Sequence, residues 1–352
     1  MAAQSANPGG TIPPGEAFIE DAENGKVPWP AETWAAIQRA VQHESTSLRV
    51  GAAFLPARRV SPKTTSIPPD LITNQPFSGE TGNTLTANEG APIRLNEIWT
   101  EFALTPKQVH EIAENEYPEA SSAVALAKRA EQYLALAQDC VIFQGANAYG
   151  VPFFQQNVRF QPGRLPIDGG LLSLPFPAAP PWFGTGPYAS SNAPITVSPL
   201  TAGSPGVLYG QNTFAAVAQG YAVLASQGQT GPYALVLNTV PYADLYAPIG
   251  QGSLVVTADR VAPLVTAGLY GTGALPPFAS TSGQVPPTPL EPPYFGVLVS
   301  LGGQTMDLVT GLNARTVFMQ QDANQNWRFR VLERFALRVT DPSAIVTLVF
   351  LP

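Results

Sequence analysis

Hydrophobic positions in this chain recur with two periods, and the alternation between them predicts its elements. In PAETWAAIQRAVQHE, Trp34, Ile37 and Val41 fall three and four apart and form one apolar helical face. Pro30 fits the first turn, where its missing N–H costs no hydrogen bond. Thr105 as N-cap and Pro106 after it start a second helix, which Pro118 interrupts. The clearest helical pattern covers about Glu119 to Phe143. Ala127, Ala130, Leu134, Ala137 and Val141 step along one face, while Ala123, Leu126, Ala135, Leu136 and Ile142 make the other faces apolar too. At about 1.5 Å per residue this is a spine of roughly 35–40 Å. It is expected to be buried on several sides and to stop at Gly145. A shorter helix is predicted from Thr213 to about Ser226.

Period two takes over elsewhere. IRLNEIWTEFALT, Tyr233–Leu237, FGVLVS and QTMDLV have strand character, and DPSAIVTLVF closes a sheet. NWRFRVLERFALRVT is a long alternating strand. One face carries Trp327, Phe329, Val331, Glu333 and Phe335, and the other carries Arg328, Arg330, Arg334 and Arg338. Four arginines on one face either bind phosphate or meet carboxylates on a neighbouring strand or subunit. Residues 46–62 shift toward extended structure. VPYADLYAP and ADRVAPLVTAGL suggest short helices or turns, and the glycine pair of YGTGALP reads as a turn. The sum is an α+β fold.

Composition changes the picture in one respect. With 37 prolines, 31 glycines and only 12% charged residues, against roughly 25% in ordinary soluble domains, much of the chain must run in arms and ordered loops. Residues 1–29 read as an N-terminal arm. The polar excursion at 64–92 is too long for a structureless loop and suggests a β-excursion. The aromatics of 146–210 require that stretch to pack against something. A neutral, proline- and aromatic-rich surface loses little on being desolvated against other subunits. The net charge of −7 argues against a nucleic-acid binder. No run reaches the roughly 18 apolar residues of a membrane span, and the N-terminus lacks the pattern of a signal peptide.

A search for chemistry yields little. His43 and His110 have no histidine or cysteine three or four residues away, so neither begins a zinc site. Cys140, the single cysteine, follows Asp139, but adjacent helical positions point about 100° apart, and no cation is at hand to stabilise a thiolate. Cys140 therefore reads as a small buried hydrophobe. Glu97, Glu101, Glu111 and Glu114 form no carboxylate pair that spacing alone would justify. The phosphate-loop, dinucleotide and nucleophile-elbow motifs are absent. No catalytic, cofactor-binding or metal-ligating residue is expected, and the chain does not read as an enzyme.

In chain order, several segments resemble the encapsulin (linocin-like) nanocompartment shell proteins. IRLNEIWTEFALTPKQVHEI resembles a family strand through Leu95, Glu97, Phe102, Leu104 and Ile112. LAKRAEQYLALAQDCVIFQG resembles the spine helix through Asp139, Ile142, Phe143 and Gly145. TGPYALVLNTVPYADLY is similar at Gly231, Pro232, Tyr233, Leu235, Leu237, Tyr242 and Tyr246. WRFRVLERFALRVTDPSAIVTL resembles the closing strands through Glu333, Phe335, Val339, Pro342 and Ala344. The resemblance implies an HK97-type capsid fold. Its divisions are an N-terminal arm (1–29), an N-terminal helix and the start of a peripheral domain (30–62), and an extended E-loop (63–93). A peripheral domain with the spine (94–150), an axial domain with Pro/aromatic-rich insertions (151–294) and closing strands of both domains (295–352) follow.

The resemblance further implies a cytoplasmic, icosahedral shell built from many copies of the chain. Such a shell encloses a cargo enzyme that carries a targeting peptide. Trp34, Ile37 and Val41 would contribute to docking the cargo, although the same residues suffice as a core face. Departures occur at Pro152–Phe153, at 311–318 and in the long Pro/aromatic segments around 152–205 and 273–293. Two rivals stand beside this reading: a phage or prophage major capsid protein that packages DNA, and a soluble α+β enzyme.

Overall fold

A computed structural model of the chain describes residues 26–76, 83–88, 92–114, 117–161, 170–172, 192–200, 208–248, 255–275 and 293–351. Most of the arm, parts of the 63–93 excursion, most of the stretch at 152–205 and residues 276–292 lie outside the described residues.

The first half builds helices α1 (Ala31–Leu48) and α2 (Val50–Phe54), then strand β1 (Ala57–Arg59). β2 (Ser66–Ile67) and β5 (Ile93–Arg94) pair with each other and flank a hairpin of β3 (Leu71–Pro76) and β4 (Asn83–Asn88). β6 (Asn96–Leu104), α3 (Pro106–Glu114), the long α4 (Ser122–Gln144), α5 (Pro152–Asn157) and β7 (Arg159–Phe160) follow. The second half contains β8 (Ile195–Val197), α6 (Gln211–Ser226), β9 (Tyr233–Asn238), α7 (Thr239–Asp244), α8 (Thr257–Val261) and β10 (Gly268–Thr272). It ends with β11 (Tyr294–Ser300), β12 (Met306–Gln321), β13 (Trp327–Val339) and β14 (Ile345–Phe350).

Two five-stranded sheets result. The first has the order β1-β12-β13-β6-β7, with β12, β13 and β6 antiparallel and β1 parallel to β12. The second has the order β10-β9-β11-β14-β8. The chain passes from β13 of the first sheet to β14 of the second through a single turn at 340–344. The core of the first sheet centres on Phe329. Trp29 stacks on it at 5.1 Å and 4°, Phe102 at 5.3 Å and 14°, and Phe318 meets it edge-on at 5.7 Å. Each such buried aromatic contributes roughly 1.5–3 kcal/mol through lost apolar exposure. In the second core Val217 and Leu224 of α6 are fully buried, and Gly220 lets the helix lie close to Leu298.

The spine α4 has a defined start and stop. Ser121 accepts a hydrogen bond from the Val124 N–H at 3.4 Å, as an N-cap does. At the far end the backbone N–H groups of Leu171 and Leu172 donate to the carbonyls of Ile142 and Phe143, each at 2.9 Å. Those carbonyls have no partner inside the helix, so the 170–172 segment closes it. That contact needs Gly170, because a Cβ there would lie 2.4 Å from the Gly145 nitrogen and 2.5 Å from the Phe143 carbonyl carbon.

Three sequence expectations are corrected. Residues 46–54 are helical, not extended: α1 runs to Leu48 and breaks for one residue at Arg49, and α2 then begins. The break carries Arg49 inward to two buried carboxylates. YGTGALP turns only from Gly273 on; its first three residues end the strand β10, which is parallel to β9. Gly271 is required there because the ring of Tyr242 occupies the space a Cβ would take, 2.5 Å away. Residues 152–157, expected to be loop, form the short helix α5 with Phe154 buried beneath Tyr149.

Candidate functional site

The described residues present a projecting arm, a paired arginine face and a buried charge cluster, with no converging catalytic constellation. The β3–β4 hairpin is held to the body only at its root. Ile72 N–H donates to the Thr340 carbonyl at 2.7 Å, and Asp70 pairs with Arg338. The Ile72 side chain is 42% exposed, and Leu85, further out on the ribbon, is 72% exposed. The two residues lie on a neutral ribbon whose outer edges have no strand neighbour among the described residues. An isolated two-stranded ribbon is marginal in water.

The arginine face of β13 is neutralised within the chain. Arg334 stands directly opposite Glu97 and Arg330 opposite Glu101 in the β13–β6 register. Their guanidinium groups donate to those carboxylates at 2.5 and 2.8 Å. Arg338 pairs with Asp307, also at 2.5 Å, and with Asp70, and Arg328 approaches Asp322 at 3.6 Å. Arg330 also lies 4.3 Å over the Trp99 ring. Of the four arginines only Arg328 is nearly half exposed, so this face offers little free positive charge to a polyanion. Glu111 and Glu114 stand exposed on α3, beside Lys107 and His110 one turn earlier.

The α1 face divides by depth. Ile37 and Val41 are fully buried within the subunit. Trp34 is half-buried, tilted 5.2 Å from Trp29 and 6.1 Å from Phe329. Gln38, one position along, faces the first sheet. Its amide donates to the Thr316 carbonyl at 2.7 Å, and its carbonyl oxygen accepts from the Thr316 N–H at 3.2 Å.

The sequence marked Asp139 and Glu333 as family-like positions but not the buried cluster that they join or border. Arg49 reaches both Glu131 of α4 and Glu333 of β13. Neither carboxylate is exposed, and Glu131 Oε2, Glu333 Oε1 and Arg49 Nε lack any partner among the described residues. Burial pushes the Glu131 carboxyl up to about 8, against the pull of Arg49. Glu333 moves the same way for the same reason. Burial would lower Arg49, but Glu333 and Glu131 together hold it above its ordinary value. Two turns further along α4, Asp139 receives the N–H groups of Val50 and Gly51 at 2.9 and 2.8 Å and so caps α2. Burial raises its carboxyl to about 7 despite those donors. Asp139 also lines a cleft of about 350 Å³ between Leu48, Val50, Leu136, Thr272 and Gly273, where α1, α4 and β10 meet.

Cys140 is buried and points away from this cluster's chemistry; burial first, and Asp139 second, push its thiol up to about 12. Among the described residues no group of histidine, cysteine and carboxylates could hold a metal ion. No helix there is long and apolar enough to cross a membrane. In the second sheet Asp244 gathers the N–H groups of Leu208, Tyr209 and Gly210 at 2.6, 3.0 and 2.8 Å, fixing the start of α6.

Residues 200–336 match the family Linocin_M18, described as encapsulating protein for peroxidase. Over 135 residues the chain is 30% identical to the type 1 encapsulin shell protein EncA of Myxococcus xanthus (strain DK1622). That match covers 38% of this chain and 41% of the relative, so the chain spans less than half the length of that relative. The fold is similar to that of a virus-like particle from Pyrococcus furiosus, with a TM-score of 0.53 and 15% identity over 90% of this chain and 98% of the other. It is also similar to the capsid of Myoviridae phage XM1, with a TM-score of 0.52 and 12% identity over 87% and 92% of the two chains.

Proposed function

We propose that this chain, which is related to the encapsulin shell proteins and has the HK97-type capsid fold, is a structural subunit that assembles with many copies of itself into a closed icosahedral compartment around a cargo protein. The observation that carries the reading is the β3–β4 hairpin. It is anchored at its root through Leu71 and Ile72, it is uncharged over its described residues, Ile72 and Leu85 are exposed, and its outer edges have no strand partner among the described residues. Repeated heterologous contacts of that kind close around symmetry axes. In this reading 63–93 is the E-loop, the first sheet with α4 is the peripheral domain, and the second sheet with α6 is the axial domain. The subunit itself is not catalytic and works in the cytoplasm.

Cargo would dock through a targeting peptide against α1. Trp34 is the member of the Trp34, Ile37, Val41 set with exposed surface, so it would make the contact. Ile37 and Val41 would hold it in place from beneath. The pairing of Arg330, Arg334 and Arg338 with carboxylates favours protein over DNA as the contents.

The test is particle sizing of the purified chain by light scattering and negative-stain microscopy, with analysis of the contents. Closed particles that co-purify a small protein support the reading. A monomer or small oligomer defeats it, and particles filled with DNA turn it into a genome-packaging capsid.

A further inference from the structure

One corner of the first sheet carries positive charge that the subunit leaves unanswered. Arg58 and Arg59 occupy the edge strand β1, Lys63 sits in the turn after it, and Arg94 lies on β5 opposite Ser66 of β2. All four are exposed, and none has an ion-pair partner among the described residues. They belong to one neighbourhood. Arg59 pairs with Thr310, and the next residue of β12, Gly311, lies against the Leu95 side chain that follows Arg94. The nearby carboxylates are already engaged: Glu97 by Arg334, and Asp70 and Asp307 by Arg338. The corner is therefore a net cationic patch on a chain of net charge −7. It also ends at β1, which among the described residues has a strand partner on one side only.

Two stretches of sequence concentrate the opposite charge: Glu111–Glu119, with four glutamates on and just after α3, and one that precedes the described body. GEAFIEDAENGK, residues 15–26, holds Glu16, Glu20, Asp21 and Glu23 against the single cation Lys26. The chain enters the described body at Lys26, and Val27 and Trp29 are buried there, with the Trp29 indole N–H donating to the Val109 carbonyl at 3.0 Å. That entry point lies at the Leu104 end of β6, since Trp29 stacks on Phe329, which pairs with Phe102. The cationic corner lies beyond the Asn96 end. Nine strand residues separate the two ends, about 30 Å. Three residues, from Lys26 back to Glu23, reach about 10 Å, and five, back to Asp21, about 17 Å. Within one subunit only Glu16 could approach the patch.

We propose that the acidic segment Glu16–Glu23 docks on the Arg58, Arg59, Lys63, Arg94 corner of a neighbouring copy of the chain, lying along the free edge of β1. The inference rests on the shell reading, and it adds to the hairpin a second, electrostatic contact between copies. Such a contact guides the partners' register and is weakened by salt.

The experiment places a photo-crosslinking residue at Phe18 in the full-length chain and maps the products in assembled particles. The expected result is crosslinks to peptides containing residues 57–63, present in particles and lost when particles are dissociated. R58E/R59E should cut their yield about tenfold, and adding E20K/D21K should restore it. Particles that form without this crosslink overturn the proposal while leaving the shell reading intact. So does a crosslink that persists in isolated subunits, or a yield that ignores the charge reversals. If R58E/R59E particles instead lose bound nucleic acid while the crosslink is unchanged, the patch serves a polyanion and the proposal fails. A wild-type chain that stays monomeric overturns the shell reading and, with it, the contact between copies.

Discussion

Gln38 meets Thr316 in both hydrogen-bonding senses, donating to its carbonyl and accepting from its N–H. A helix side chain thus does at one position what a neighbouring strand would do along the outer edge of β12. Thr316 is fully buried, so its backbone groups have no water to turn to. Gln38→Ala should destabilise the subunit by about 1–3 kcal/mol, whereas an exposed neighbour such as Gln42→Ala should change stability by less than about 0.5 kcal/mol. Chemical denaturation of both variants checks the contrast, and equal effects would refute the edge-capping role.

The Arg49 cluster predicts an unusual pH dependence. Glu131 and Asp139 titrate at about 8 and about 7 in the folded chain, above the roughly 4 of an unfolded carboxyl. Between those limits the folded state binds more protons than the unfolded state, so stability falls as pH rises through the window. The melting temperature should drop between about pH 5 and pH 8, and Glu131→Gln should flatten that slope. A melting temperature that rises over this range would contradict the assignment. Arg49→Met, which strands two carboxyl groups, should cost roughly 3–5 kcal/mol.

Removing residues 73–88 and bridging the gap with a short Gly/Ser linker should abolish particle formation with little change in subunit stability. The cut must spare the root. Ile67 is buried, Asp70 holds Arg338 and Ile72 is tied to Thr340, so a deletion of 64–90 would damage the fold and confuse the two effects. Intact particles from the 73–88 deletion would refute the hairpin's role in assembly.

Cys140 should be inert. Its thiol lies in the core with its ionisation pushed up to about 12, so a thiol reagent should fail to label it until the chain unfolds. Cys140→Ala should cost about 1 kcal/mol through the small cavity it leaves. Rapid labelling of the folded chain would overturn this.

These cases show what the sequence made legible. The spine, the arginine face of β13 and the buried role of Cys140 follow from periodicity, because each is a local pattern repeated over many residues. The Arg49 cluster has no such pattern. Its members come from α1's end, α4 and β13, far apart in sequence; Glu333 stands on an apolar strand face, but Arg49 and Glu131 each resemble an ordinary solvated charge, so nothing local joins the three. β10 was hidden for the opposite reason. Gly268 and Gly271 mimic a turn locally, and only the ring of Tyr242 explains a glycine in that strand. Likewise α2 is five residues long, too short for its own period to show, and it depends on the distant Asp139 for its first hydrogen bonds.

The root of the hairpin has a mechanical meaning. Ile72 is tied to Thr340 and Asp70 to Arg338, at the last residues before the chain crosses from β13 into β14. In the proposed shell, a neighbour that pulls on the hairpin would therefore pull on the short turn that joins the two sheets. The force would enter the second core through backbone and an ion pair, and the hairpin would couple contacts at the subunit's edge to the packing at its centre.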